Sequence, residues 1–224
     1  MLKVDLHLHT QYSPDSVMSI ENLVDRCIEV GLNCIAVTDH NTIEGALEVQ
    51  RVAPFMVIIG EEIQSTAGEI TGLFLKEEIP KGLEPVDTAK RIKEQGGLVS
   101  LPHPFDRFRG EVISPQALEE VLPYTDIVEV FNSRNNLEAD DRKAYEFAQE
   151  HDLVSSGVSD AHTALELGRT YVEIPEFDGT PAGLKNALAR GRIIARRTSP
   201  FIHVVTTFTK IRKRISQGWW SSSV

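Results

Sequence analysis

Six short apolar runs, each ending in a polar residue able to bind metal and each separated by a helix-period pattern, constrain the fold of this chain most. The first is the strand around Asp5-Leu6-His7-Leu8-His9. Cys34-Ile35-Ala36-Val37-Thr38 then leads into Asp39-His40, and Val57-Ile58-Ile59-Gly60 into Glu61-Glu62. Leu98-Val99-Ser100-Leu101 leads into His103, Ile127-Val128-Glu129-Val130-Phe131 into Asn132, and Val154-Ser155-Ser156-Gly157-Val158 into Asp160 and His162. Strands that alternate with helices imply a parallel sheet or barrel. In a (β/α) barrel, chemistry gathers at the C-terminal ends of the strands. This chain puts its His, Glu, Asn and Asp residues at those ends.

The intervening segments carry their own boundary signals. Ser19 is expected to cap a helix whose apolar positions Ile20, Leu23, Val24, Cys27 and Ile28 follow helical spacing up to Gly31. Ser114-Pro115 and Thr180-Pro181 are cap-then-proline starts, while Gly96-Gly97 and Gly191 mark ends.

His7 and His9 alternate on a strand and therefore share a face. Asp160 and His162 do the same if that segment is extended. A lone His-x-His pair reads equally well as two hydrogen-bonded barrel or surface histidines. Two imidazoles and a carboxylate converging from distant parts of a chain instead suit a divalent metal. All the candidate donors are N or O and none is cysteine, which favours Mn, Fe, Zn or Mg over a thiolate structural site.

These motifs resemble the PHP (polymerase and histidinol phosphatase) family of metal-dependent phosphoesterases. The resemblance is carried by Asp5-Leu6-His7-Leu8-His9-Thr10 with Ser13 and Asp15, and by Val37-Thr38-Asp39-His40-Asn41-Thr42. Gly60-Glu61-Glu62-Ile63, Pro102-His103-Pro104 and Ser159-Asp160-Ala161-His162 complete it, in the family's order. It implies an α/β fold, a distorted (β/α)7 TIM-like barrel, with two or three divalent ions at its mouth and phosphate-ester hydrolysis as the activity.

Carried over residue by residue, the resemblance implies His7, His9, Glu62 and Asp160 as the ligands of one ion and Asp15, His40 and His162 around a second. Glu62, His103 and residue 132 would hold a third. The family pattern selects Glu62 over Glu61, which would point the opposite way on a strand. Several relatives carry histidine where this chain has Asn132. An amide oxygen is a weaker donor, so a third ion is expected to be absent or loosely held. His103, Asp15 and His40 are the expected catalytic residues.

A bridging carboxylate such as Glu62 can hold two cations roughly 3.5–4 Å apart, activate a shared water and neutralise phosphoryl oxygens. Asp5 and Asp39, next to ligand histidines, could orient an imidazole by accepting its second N–H, or be ordinary strand-end carboxylates. For the phosphate, Arg134 is the favoured partner, partly because similar relatives use an arginine there. Arg107 and Arg109 also follow His103 closely, and Arg192, Arg196 and Arg197 could instead brace the C-terminal part of the barrel. His151, at an expected helix end, and His203, past the last motif, read as structural. Cys27 and Cys34 read as buried thiols outside any disulfide framework.

The 224 residues, 41% hydrophobic and 25% charged, suffice for one barrel, expected over residues 1–209. The net charge of −10 argues against a general nucleic-acid-binding surface. Met1-Leu2-Lys3 runs straight into the first strand and no apolar stretch reaches the roughly 18 residues of a membrane span, so a cytoplasmic enzyme without a signal peptide is expected. Residues 210–224 form a basic tail, with Lys210, Arg212, Lys213 and Arg214 ahead of Trp219 and Trp220. Self-association through the tryptophans is its preferred functional reading, and a terminal helix packed on the barrel is the plainer one. The expected substrate is a small phosphate monoester such as a nucleotide or sugar phosphate. An exonuclease on single-stranded RNA or DNA ends, or a non-catalytic metal-binding module, are the alternatives.

Overall fold

The computed structural model describes residues 1–198; His203 and the basic stretch 210–224 lie outside the described residues. Among those described, strands β1 (Leu2–Leu8), β2 (Cys34–Val37) and β3 (Met56–Ser65) run parallel in sequence order, joined by helices α1 (Ile20–Val30) and α2 (Glu44–Val52). The local signals expected from the sequence are in place. Ser19 accepts a hydrogen bond from the Asn22 N–H, and Gly31 ends α1 in the left-handed region at φ 75°. Either satisfies a backbone group that the helix terminus would otherwise leave unpaired.

The βα rhythm then breaks. β3 turns at Thr66-Ala67 into an antiparallel partner, β4 (Gly68–Leu73), with Glu62 opposite Thr71 and Gln64 opposite Glu69. No apolar run marks this strand: Glu69, Thr71 and Gly72 interrupt it. Gly68 is required here, because it takes φ 121° and an added Cβ would meet the Ile113 backbone at 2.3 Å. After α3 (Pro85–Glu94) the parallel pattern resumes with β5 (Leu98–Leu101), α4 (Pro115–Val121), β6 (Thr125–Asn132), α5 (Glu138–Glu150) and β7 (Val154–Val158). The Ser114 and Thr180 caps hold as expected, the latter opening α6 (Pro181–Leu188).

The sheet order is β7-β6-β5-β4-β3-β2-β1-β8-β9, where β8 (Tyr171–Ile174) and β9 (Arg192–Ile194) extend antiparallel beyond β1. β7 curls back to β1 through a bridge between Leu8 and Ala161, so the first seven strands form a nearly closed barrel. This is the distorted seven-stranded barrel expected, and its distortion has two sources: the antiparallel β4 and the β8–β9 flap. Arg192 pairs with Glu173, and Arg197 with Asp141, so both brace this C-terminal part as expected. His151 lies at the C-cap of α5 against Phe147. No helix among the described residues is long and apolar enough to cross a membrane.

Leu8, Leu23, Ile35, Ile63, Ile70, Leu101 and Ile127 are fully buried. Cys27 and Cys34 lie in this core, unpaired, and burial pushes both thiols up to about 12. The thiolate is the reactive species. Neither cysteine should therefore be alkylated in the native protein at pH 8, and both should react once it is unfolded. Mass spectrometry after iodoacetamide treatment reads this directly; rapid native labelling of either would contradict the packing.

Candidate metal centre

β1 delivers His7 and His9 to the same interior face, as a two-residue period requires. Their Nε2 atoms lie 3.0 Å apart. Glu62, from β3, places Oε2 3.3 Å from His7 Nε2 and 3.4 Å from His9 Nε2. Asp160 brings Oδ1 to 3.7 and 3.4 Å from the same two nitrogens. Asp160 does so from a left-handed backbone, φ 52°, so 159–162 is not the extended segment on which a shared face was expected. Strained backbone of this kind is tolerated where surrounding structure fixes it, commonly at functional sites. His103 is a second case, at φ 31°, and points Nε2 at Glu62 Oε1 from 3.1 Å.

A second group adjoins the first. Asp15 Oδ2 is 3.5 Å from His40 Nε2, and its Oδ1 is 3.4 Å from His162 Nε2. His40 Nδ1 in turn lies 3.2 Å from Glu62 Oε2. The structure thus brings together His7, His9, Asp15, His40, Glu62, His103, Asp160 and His162.

The imidazole tautomers follow from what lies behind each ring. A carboxylate can only accept, so Glu129 Oε1, 2.6 Å from His7 Nδ1, fixes the proton there and leaves Nε2 its lone pair. The single Ser13 hydroxyl proton goes to Asp39 at 2.6 Å, so Ser13 must accept from His9 Nδ1 at 3.0 Å. His162 Nδ1 donates to the Asp160 carbonyl at 2.8 Å. Three rings therefore present Nε2 as an acceptor.

The orienting roles differ from those expected. Glu129, in mid-strand and not singled out in the sequence, holds His7 directly, while Asp39 reaches His9 only through Ser13. Asp5 orients no ring: it accepts from the Ser159 N–H at 3.1 Å and ties β1 to the end of β7. Burial raises its carboxyl to about 7.

Asn132 stands beside these groups. Its amide donates to Glu129 Oε2 and Asp160 Oδ2 at 3.1 and 3.2 Å, and its carbonyl oxygen accepts from the Arg134 N–H at 2.9 Å. In this arrangement that oxygen accepts from the backbone and the amide ties two carboxylates together. Arg107 lies elsewhere, with Nε and Nη2 on Asp140 at 3.0 and 2.7 Å. Arg109, for which no role was expected, reaches the centre instead: Nη2 binds Asp160 Oδ2 and Nε binds Asp106.

His7 and His9 Nε2, Glu62 Oε2 and Asp160 Oδ1 form a buried nest of acceptors. Asp160 Oδ1 and Asp15 Oδ1, though buried, receive no hydrogen bond. Buried acceptors facing one another at 3–4 Å repel unless a cation lies among them. Burial pushes His9 down to about 3, reinforced by His162 and His40, so its lone pair stays available. Against the cost of burial, Glu129, Glu62 and Asp160 hold His7 well above its usual range, which measures how strongly this nest attracts positive charge. The donor set fits divalent metal ions, with bonds of about 2.0–2.2 Å that space donors around one ion about 3.0–3.6 Å apart.

The nest opens into a cavity of about 570 Å³ lined by His9, Asp15, His40 and Glu62 and also by Lys81, Arg109 and Arg134. Arg134 is buried, and its guanidinium reaches the Asp160 carbonyl at 3.5 Å. Acceptors for cations and cations for an anion thus share one cavity.

Gly45, in the first turn of α2, supports this arrangement from behind. An added Cβ would lie 2.0 Å from Asp39 Oδ2 and 2.5 Å from Thr10 Oγ1, both of which it would displace. Asp39 holds Thr10 and Ser13 together, and through Ser13 it holds His9. Gly45→Ala is therefore expected to weaken metal binding or turnover by roughly 10–100-fold, the usual loss when an outer partner of a ligand is disturbed. Metal titration of the variant checks it; wild-type affinity would show that Asp39 moves aside freely.

Comparison with known proteins agrees with the geometry. A PHP domain model matches residues 5–78 and a PHP-associated model matches residues 139–193. An uncharacterised protein of Methanocaldococcus jannaschii is 38% identical, over 79% of this chain and 72% of its own length. Among solved structures, a two-domain protein of Bacteroides vulgatus, described as containing a predicted PHP-like metal-dependent phosphoesterase, superposes with a TM-score of 0.69 at 20% identity. That match covers 86% of this chain and 64% of the other. A lesion-specific endonuclease of Pyrococcus furiosus superposes with a TM-score of 0.57 at 16% identity, over 86% of this chain and 57% of its own. The matched segments contain His7, His9, Asp15, His40 and Glu62 at one end and the strand after α5 at the other, and on these grounds the chain belongs to the PHP family of metal-dependent phosphoesterase-like domains.

Proposed function

We propose that this chain hydrolyses a small phosphate monoester, a nucleotide or a sugar phosphate, at a centre of two or three divalent ions such as Mn, Zn, Fe or Mg. The observation that carries the reading is one cavity lined both by buried His and carboxylate groups of the nest and by Lys81, Arg109 and Arg134. We assign His7, His9, Glu62 and Asp160 to one ion and Asp15, His40 and His162 to a second, with Glu62 shared. Bound ions would supply an activated water and neutralise phosphoryl oxygens in an in-line displacement.

The chain's own residues do the rest. Arg134 forks onto the phosphate and orients it, and Arg109 offsets the second negative charge. Asp15 and His40, at the cavity surface, are assigned to the attacking water. Asp15 Oδ1, which has no donor in the structure, is placed to accept a hydrogen bond from that water. His103, buried with Nε2 3.1 Å from Glu62 Oε1, is assigned with Glu62 to a third ion.

A nuclease reading is kept because the endonuclease of Pyrococcus furiosus shares the fold. The net charge of −10 weighs against a long polyanion. A screen of metal-reconstituted protein on nucleotides, sugar phosphates and short oligonucleotides decides: phosphate release from monomers is expected. Shortened oligonucleotides would overturn this in favour of a nuclease, and inactivity on every substrate in favour of a metal-binding module.

We further propose a cytoplasmic location, in keeping with two buried free thiols, and self-association through residues 210–224. Deleting those residues should lower the solution mass and leave turnover unchanged; an unchanged oligomeric state would remove the tail's proposed role.

A further inference from the structure

Glu69 is a buried carboxylate in the cavity that accepts no hydrogen bond among the described residues. It comes from β4, two pairs along the hairpin from Glu62: Glu62 faces Thr71 and Gln64 faces Glu69. On a pleated pair, that diagonal puts Glu62 and Glu69 side by side on the interior face. Glu69 directs Oε1 to 3.5 Å from His40 Nδ1 and Oε2 to 3.7 Å from His103 Nε2. Those two nitrogens also face Glu62, at 3.2 and 3.1 Å. Two carboxylates and two imidazoles therefore enclose one small volume.

We infer that Glu69 is a metal ligand that, with Glu62 and His103, builds the third cation site in which residue 132 was expected, while His40 donates from Nδ1 to these carboxylates and keeps Nε2 for the ion at Asp15. The inference rests on the multinuclear reading above and adds to it a donor outside the motifs.

Three observations support it. Each imidazole nitrogen faces one oxygen of each carboxylate at 3.1–3.7 Å, close to the spacing of about 3.0–3.6 Å expected of donors around a divalent ion. Glu69 is 6% exposed, and a carboxylate buried beside another without hydrogen bonds is costly unless a cation joins them. Asn132, finally, spends its amide on Glu129 and Asp160 and its carbonyl on the Arg134 N–H, so it is not available for that role. A carboxylate is also the stronger and charged donor, which suits Mn or Mg at this position.

The test is metal stoichiometry, read independently of activity. The full chain, loaded with Mn(II) and dialysed to equilibrium, is analysed for metal alongside Glu69→Gln, Glu69→Asp and Asn132→Ala, with circular dichroism to check the fold. Glu69→Gln should lose one equivalent relative to wild type and keep the others. Glu69→Asp should bind that ion more weakly, and Asn132→Ala should keep the wild-type count. If Glu69→Gln retains every wild-type equivalent, or if Asn132→Ala loses the one in question, the assignment is overturned. Either result leaves the two remaining ions and the hydrolytic screen intact, so failure here is distinct from failure of the phosphoesterase reading.

Discussion

Substituting Glu62 by alanine should abolish hydrolysis, by at least about 10³-fold, while the barrel stays folded. Glu62 meets His7, His9 and His40 with one oxygen and His103 with the other, so it is the hub on which every proposed cation depends. Burial alone would raise its carboxyl, but His7 and His40 hold it well below the usual range, so it is fully ionised. Its removal takes away a charge that ions would share and leaves them closer to one another's field. A metal contributes several kcal/mol of charge stabilisation, and each 1.36 kcal/mol is tenfold in rate. The neighbouring Glu61→Ala is the control. Glu61 faces away from the cavity, accepting from the Ile79 N–H at 2.9 Å, and its loss should leave turnover near normal. Steady-state rates for the two variants check the register; the opposite pattern would mean the wrong carboxylate has been chosen.

The second large effect concerns metal removal. Exhaustive chelation should eliminate hydrolysis and lower the melting temperature by roughly 10–20 °C. Each ion present at about 100 times its Kd stabilises the folded chain by about 2.7 kcal/mol, so two contribute about 5 kcal/mol. For a chain of this length one kcal/mol moves the midpoint by about 2–4 °C. Stripped of ions, the centre leaves the buried carboxylates of Glu62, Glu69 and Asp160 crowded together without the cations that join them, which adds to the loss. Differential scanning calorimetry with and without chelator, followed by re-addition of Mn, provides the measurement. An unchanged midpoint would mean that the nest is stable empty and would weaken the metal assignment itself.

The sequence exposed those parts of the molecule that obey a period. Strands that end in His, Glu or Asp are visible because alternation fixes the face and the βα rhythm fixes the end, and so His7, His9, His40, Glu62 and His103 all arrive where the pattern predicts. Glu69 is different. Its position depends on a register between two antiparallel strands, and no local pattern specifies that register once the βα rhythm is interrupted at Thr66-Ala67. Glu129 was hidden because it stands in mid-strand, where a charged residue facing inward has no motif to announce it. Arg107 and Arg109 differ by two positions in an irregular loop, and which of them enters the cavity is decided by Asp140, a residue on α5 that captures Arg107. Asn132 shows a further limit: the residue is at the expected place, but the direction of its amide is set by Glu129, Asp160 and the Arg134 backbone.

The seam between β1 and β7 joins residues some 150 positions apart in the chain, yet its backbone pairing rests on His9 to Ala161 at 2.8 Å and His7 to Asp160 at 2.9 Å. The residues that zip the barrel shut are the same ones that carry the proposed ligands on both sides of the seam. Such long-range pairing is entropically late in folding. An ion shared by His7, His9 and Asp160 therefore acts as a clasp between the two ends of the domain, so that filling the site and finishing the fold become a single event.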